Sequence, residues 1–164
     1  MNNPYLLPAL RLSPALMARL IERIDPALHD ERLDPGRFTL REVLAHLADW
    51  EPILRARIEQ GVAQPGSILV AYDEDERARS QRYAELSVEG SLRQWTVERE
   101  KTVALVASIT REDFEHIVLH PERGPMSVAD LAGFIPNHDL YHLEQISAYL
   151  PGATGSFDSV DRAH

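Results

Sequence analysis

Apolar residues recur at intervals of three and four along most of the chain, the spacing of one buried helical face. Leu16, Leu20 and Ile24 share a face that Met17 and Ile21 widen. Ser13 followed by Pro14 reads as an N-cap with proline at the first helical position, and Pro26 closes that helix. After a loop holding Asp34, Pro35 and Gly36, Thr39 and Glu42 form a T-x-x-E capping box. The helix it opens runs to about Gln60 through Leu40, Val43, Leu44, Leu47, Trp50, Leu54 and Ile58. Pro52 is expected to bend it, because proline deletes one intrahelical bond.

The second half continues in the same way. Gly61 to Gly66 breaks the pattern, and Ile68 to Tyr72 is a short extended piece too brief to found a sheet. Residues 73–85 are highly charged and read as an exposed helix or helical connection. A third long helix spans about Ser87 to Ser108, with Leu92, Trp95, Val103, Leu105 and Val106 among its apolar residues. Thr110 to Pro125 reads as a loop. Ser127, with Asp130 as a weaker capping partner, starts the last long helix, and Pro151 and Gly152 stop it. The expected fold is all-α: a four-helix bundle in one domain, residues 1–152, with a long connection between the second and third main helices. Residues 153–164 read as a loose tail.

The chain's 164 residues, at 18.5 kDa, fit that single domain. Its net charge of −9 repels phosphate backbones, and the linear sequence shows no basic patch, so a nucleic-acid partner is not expected. The absence of Cys removes disulfides, thiolate nucleophiles and Cys-based zinc sites, and suits a reducing cytosol. Pro4, Pro8, Arg11 and Pro14 interrupt the only early apolar run, which reads as neither signal peptide nor membrane span. A cytoplasmic location and no membrane partner are the expectation. No G-x-S-x-G, Walker A, G-x-G-x-x-G or H-E-x-x-H motif appears, so serine hydrolase, nucleotide and zincin readings have no support.

The chemistry must then come from the seven histidines. Two pairs have i, i+4 spacing, whereas random placement would give roughly 0.3 such pairs. His116 and His120 precede Pro121 and sit near Gly124 and Pro125, and they read as loop residues. His138 and His142 lie instead in the series Leu131, Ile135, His138, His142, Ile146, Tyr149, the apolar seam of the last helix. Buried imidazoles need partners, so this pair is either hydrogen-bonded within the core or bound to a metal. A metal needs a third ligand from another helix. His46 borders the core face of the second helix, near Trp50 and Val43, and is either that ligand or an interfacial histidine. Three imidazoles would leave an open coordination position, as catalytic zinc sites do.

Leu44-Ala45-His46-Leu47-Ala48-Asp49 on one helix and Asn137-His138-Asp139-Leu140-Tyr141-His142-Leu143-Glu144-Gln145-Ile146 on the last resemble the DinB/YfiT-like superfamily over nearly the whole chain. The resemblance implies a four-helix bundle with a divalent ion, nickel or zinc, on His46, His138 and His142. It further implies a metal-dependent enzyme, first a thiol S-transferase joining a low-molecular-weight thiol to a small electrophile. A metal-dependent hydrolase and a non-catalytic metal- or ligand-binding module stand as alternatives.

Other residues carry narrower expectations. Asp49, one turn from His46, is a candidate catalytic residue that would orient His46, take a proton or ligate, unless it is simply an exposed acid. Gln145 could touch a bound group, whereas Tyr141 and Asp139 lie off the seam and face a neighbouring helix or solvent. Trp50, Trp95 and Phe134 could line a pocket or be plain core, and Asp73-Glu74-Asp75-Glu76 reads as a solvated face. Apolar faces wider than one stripe in Ala15–Ile24 and Val103–Ile109 suggest a homodimer.

Overall fold

The computed structural model describes residues 3–153, so all but the first residue of the expected loose tail lies outside the described residues. Four long helices form the bundle: α1 (Leu6–Ile21), α2 (Leu40–Ala63), α4 (Val88–Ser108) and α5 (Val128–Ser147), with a short α3 (Glu74–Ser80) in the long connection. α1 packs on α4 and α5, and α2 packs on the same two. Helices adjacent in sequence at each end, α1 with α2 and α4 with α5, are therefore diagonal partners.

The caps show why the helices begin where they do. Thr39 and Glu42 make the reciprocal box, and Ser127 and Asp130 make a second one at the head of α5. Ser87 caps α4 through the Gly90 amide, and Asp73 caps α3 through the Glu76 amide.

α1 departs from expectation. It starts at Leu6, with Pro14 inside it, and the Ser13 hydroxyl donates to the Ala9 carbonyl instead of capping. An internal proline has no N–H for the carbonyl four residues back, which here is that of Leu10. The Arg99 guanidinium donates to that carbonyl at 3.1 Å, so a tertiary bond replaces the missing helical one. The helix also ends at Ile21, before Pro26, which instead opens a 3-10 turn capped by Asp25.

The expected loop at Thr110–Pro125 also proves structured. Its second half forms an antiparallel hairpin, β1 (Ile117–His120) with β2 (Gly124–Ser127). Gly124 adopts φ +75° at its turn, a conformation that favours glycine. The extended piece at 66–69 joins the edge, with Leu69 N–H donating to the Leu119 carbonyl and Leu119 N–H to that of Ser67. Val118 and His120 turn inward from β1.

The core falls into two clusters. One gathers Met17, Ile24, Leu44, Leu47, Trp95, Leu143 and Ile146; the other gathers Leu10, Leu54, Ile58, Val106, Leu131 and Ile135. Between them lies a charged layer in which Arg99 binds Glu51 and Asp139, each through two hydrogen bonds of 2.6–2.8 Å. All three side chains are buried. Burial alone would lower the Arg99 pKa, but the bonds to Glu51 and Asp139 more than reverse that and raise it. Of the apolar residues that suggested a dimer, Met17, Ile24 and Val106 are core, Leu20, Ile21, Val103, Leu105 and Ile109 are partly buried against it, and Leu16 is exposed.

Candidate metal centre

His46 enters from α2, and His138 and His142 enter from successive turns of α5, where the two helices pack. The Nε2 of His138 lies 2.9 Å from that of His46 and 3.3 Å from that of His142. One potential ligand atom from each residue falls within 4.8 Å of the other two. The periodic seam placed the α5 pair, and the α2–α5 contact supplies the third ring.

The protonation state of the cluster follows from its surroundings. Burial, then the neighbouring His142 and His138, holds His46 well below its ordinary value. Burial, then Arg99 and Arg123, pushes His138 down to about 4. Burial, then His138, holds His142 well below its ordinary value against the pull of Gln145. All three rings are thus neutral near pH 7, as imidazole ligands must be.

Gln145 fixes one tautomer. Its amide nitrogen donates to the Phe38 carbonyl at 2.6 Å, so its Oε1 is left to accept from His142 Nδ1–H at 3.2 Å. The His142 Nε2 lone pair then faces the other rings. Gln145, expected to touch a bound group or to pack, instead orients the His142 ring. Replacing it with leucine is expected to weaken metal binding by about 10–100-fold while the fold persists, as outer partners of metal ligands typically do. Calorimetric titration of nickel or zinc into both proteins tests this, and equal affinities would remove Gln145 from the site.

The cluster fits a cation better than it fits itself. A neutral imidazole nitrogen holds either one proton or one lone pair. His138 Nε2 therefore cannot complete hydrogen bonds to both neighbours, whereas a shared ion would satisfy all three. Nitrogens about 2.0–2.1 Å from one zinc ion lie about 3.3 Å apart at tetrahedral angles, close to the spacing of these rings. His46 Nδ1 is buried without a hydrogen-bond partner, and Glu74 Oε1 stands 3.6 Å away.

The acidic run is a solvated face, as expected, but one member also reaches inward: α3 brings the half-exposed Glu74 to His46, and partial burial, then Asp75 and Asp73, raises its pKa. Asp49 has another role than orienting His46. Its carboxylate is held by Arg77 of α3 and accepts from the Tyr83 hydroxyl at 2.7 Å, so it anchors the helix that carries Glu74. Sequence spacing gave no sign of Glu74, Arg77 or Tyr83, because they reach the site through a connection and not along a helix face.

Aromatic rings enclose the centre. Phe38, Trp50 and Tyr83 lie 5.6, 5.4 and 6.3 Å from the His46 ring, and Phe134 stacks on His138 at 5.7 Å. Trp50 and Phe134 thus line the site, while Trp95 is core and donates to Glu51. Tyr141 is half-exposed with its ring edge against His142. Asp139 meets the neighbouring helix through Arg99. His116 and His120 stay apart from the cluster, on the hairpin side.

Residues 9–146 match the DinB superfamily. The chain belongs to that superfamily. One DinB relative, "Putative metal-dependent hydrolase OB0782" of Oceanobacillus iheyensis, is 28% identical over 136 residues, 80% of this chain and 78% of its own. A similarly named protein of Geobacillus kaustophilus is 29% identical over 127 residues, 74% of this chain and 71% of its own. The fold matches YfiT from Bacillus subtilis, described as a probable metal-dependent hydrolase with an unusual four-helix bundle topology. The TM-score is 0.81 at 21% identity, covering 88% of this chain and 83% of that one. A mycothiol-dependent maleylpyruvate isomerase shares the DinB-like bundle at TM-score 0.70 and 15% identity, with 94% of this chain matching 62% of that longer one. Among the described residues, no helix is long and apolar enough to cross a membrane.

Proposed function

We propose that this DinB protein is a metal-dependent enzyme that activates an external nucleophile, first a low-molecular-weight thiol, for attack on a small electrophile. The observation that carries the reading is a set of three convergent neutral imidazoles with no fourth His, Cys, Asp or Glu ligand grouped with them among the described residues. Structural zinc sites are usually closed by four ligands, and catalytic ones keep a position open. His46, His138 and His142 would hold nickel or zinc. Such an ion lowers the pKa of a thiol or water in its open position. A chain without Cys gains in this way a sulfur nucleophile it does not encode.

The protein's own residues do the rest. Gln145 keeps the His142 lone pair turned inward, and Phe38, Trp50, Tyr83 and Phe134 exclude water around the rings. Glu74 Oε1 stands 3.6 Å from His46 Nδ1, on the ring edge opposite the nitrogen that faces His138, where its carboxylate would orient His46. A second reading, hydrolysis with water as the nucleophile, is supported by the names of the DinB relatives.

Protein purified without an affinity tag should carry a divalent metal. Metal-loaded protein should then consume a chromogenic electrophile at a rate that depends on an added thiol, and a chelator should abolish it. A rate that ignores thiol but needs metal would select hydrolysis. A protein that binds neither nickel nor zinc would exclude both readings.

A further inference from the structure

Sharing the Phe134 ring with the histidine cluster is a small recess lined by Leu54, Arg57, His120, Arg123, Met126 and Phe134. Its volume, about 10 Å³, suits a single oxygen-sized group. Three nitrogen-bearing side chains from separate parts of the chain meet there: Arg57 from α2, His120 from β1 and Arg123 from the hairpin turn. The linear sequence shows no basic patch because only the fold assembles this one.

Each group is positioned to donate. Arg57 lies over the Trp50 and Tyr72 rings at 5.8 and 5.9 Å, and one terminal nitrogen donates to the Val70 carbonyl at 3.0 Å. Its Nε is buried with no hydrogen-bond partner. Arg123 lies over the Phe134 ring at 5.2 Å. His120 is 6% exposed, and its Nδ1 accepts from the Glu122 amide at 3.3 Å, which leaves the proton on Nε2. Neither arginine forms an ion pair within 4.0 Å among the described residues. The Glu122 carboxylate favours the charged forms of Arg57 and His120 without bonding to the buried Arg57 Nε, and an anion in the recess would supply the partner that this donor lacks. In a chain of net charge −9, such a convergence is not a consequence of composition.

We propose that Arg57, His120 and Arg123 form an oxyanion subsite for the carboxylate or phosphate group of the molecule that reacts at the histidine cluster. The proposal rests on reading that cluster as the reactive centre, and it assigns the substrate class as small acids. Phe134, shared by the recess and His138, would set the spacing between the acid group and the reacting atom. Charge-assisted hydrogen bonds from arginine suit both carboxylate and phosphate oxygens.

The test is a titration of inorganic phosphate, and separately of acetate, at constant ionic strength, followed through the Arg57 Nε–H resonance. A saturable shift is expected with at least one of the two, and the stronger binder identifies the acid group. Arg123→Gln, at an exposed position, should weaken that binding about tenfold or more. Arg57→Gln should do the same, read on the His120 ring resonances. His142→Ala should leave the anion affinity unchanged even as metal binding is lost, which separates this subsite from the metal centre. A shift that never saturates, or equal affinity in wild type and both arginine variants, would overturn the subsite. So would loss of anion binding in His142→Ala, since the anion would then sit at the metal.

Discussion

Replacing His142 with alanine is expected to abolish tight nickel or zinc binding and the metal-dependent activity with it, while the bundle persists. The change removes one of three converging nitrogens and orphans the Gln145 carbonyl oxygen that its Nδ1–H satisfied. The loss should exceed the roughly 10–100-fold that removing an outer partner costs. Helical content should survive, because the ring borders the core clusters and is not among their apolar members. His116→Ala is the matched control: that ring sits 4.0 Å from Asp113 and outside the cluster, so metal binding should be intact. Metal content after dialysis, together with calorimetric titration, reads both variants. Retained affinity in His142→Ala, or loss in His116→Ala, would show that the ion sits elsewhere.

The largest effect on stability is expected from Arg99→Leu. The substitution strands Glu51 and Asp139 as two buried carboxylates and frees the Leu10 carbonyl that Pro14 leaves without a helical donor. Breaking a buried ion pair by removing one partner costs about 3–5 kcal/mol. That is a large share of the about 5–15 kcal/mol that holds a typical domain together. Urea denaturation should show the loss as a lower midpoint. Changing Glu51, Arg99 and Asp139 to leucine together should recover much of it, because no buried charge is then left alone. The recovery should stop short of wild type by the unsatisfied Leu10 carbonyl, about 1–3 kcal/mol. A single Arg99→Leu protein as stable as wild type would mean that this layer contributes nothing to the fold.

How far the sequence reveals the molecule depends on whether a feature is local. The seam carrying His138 and His142 was legible because helical periodicity and burial agree along one continuous segment. The two capping boxes were legible for the same reason, since each closes within four residues. Pro14 misled because the residue that makes it tolerable, Arg99, lies on another helix. The hairpin was hidden by strands of four residues interrupted by Gly124 and Pro125, too short to show alternation. Glu74 is a surface residue, as its sequence suggests, but its contact with His46 was hidden because it depends on the anchoring of Arg77 to Asp49, which no spacing rule encodes. The charged central layer had no sequence signature at all: Arg99 lies in the run Glu98-Arg99-Glu100-Lys101, which reads as an exposed helical face.

The diagonal placement of α1 and α2 bears on how the chain reaches this state. α1 packs backbone to backbone on α4 and α5, and meets the helix that follows it only across the centre of the core. A 16-residue helix is marginal on its own in water. During synthesis at about 5–20 residues per second, the 87 residues from the end of α1 to the end of α4 take roughly 4–17 s to appear. Throughout that interval Leu10, Met17 and their neighbours lack the two helices they pack against most closely, and the nascent chain presents a sticky segment to whatever binds emerging polypeptides. An up-and-down bundle, by contrast, can zip each new helix onto the last. Here the contacts that complete the core join the two ends of the domain, which raises the contact order and slows folding relative to that simpler arrangement.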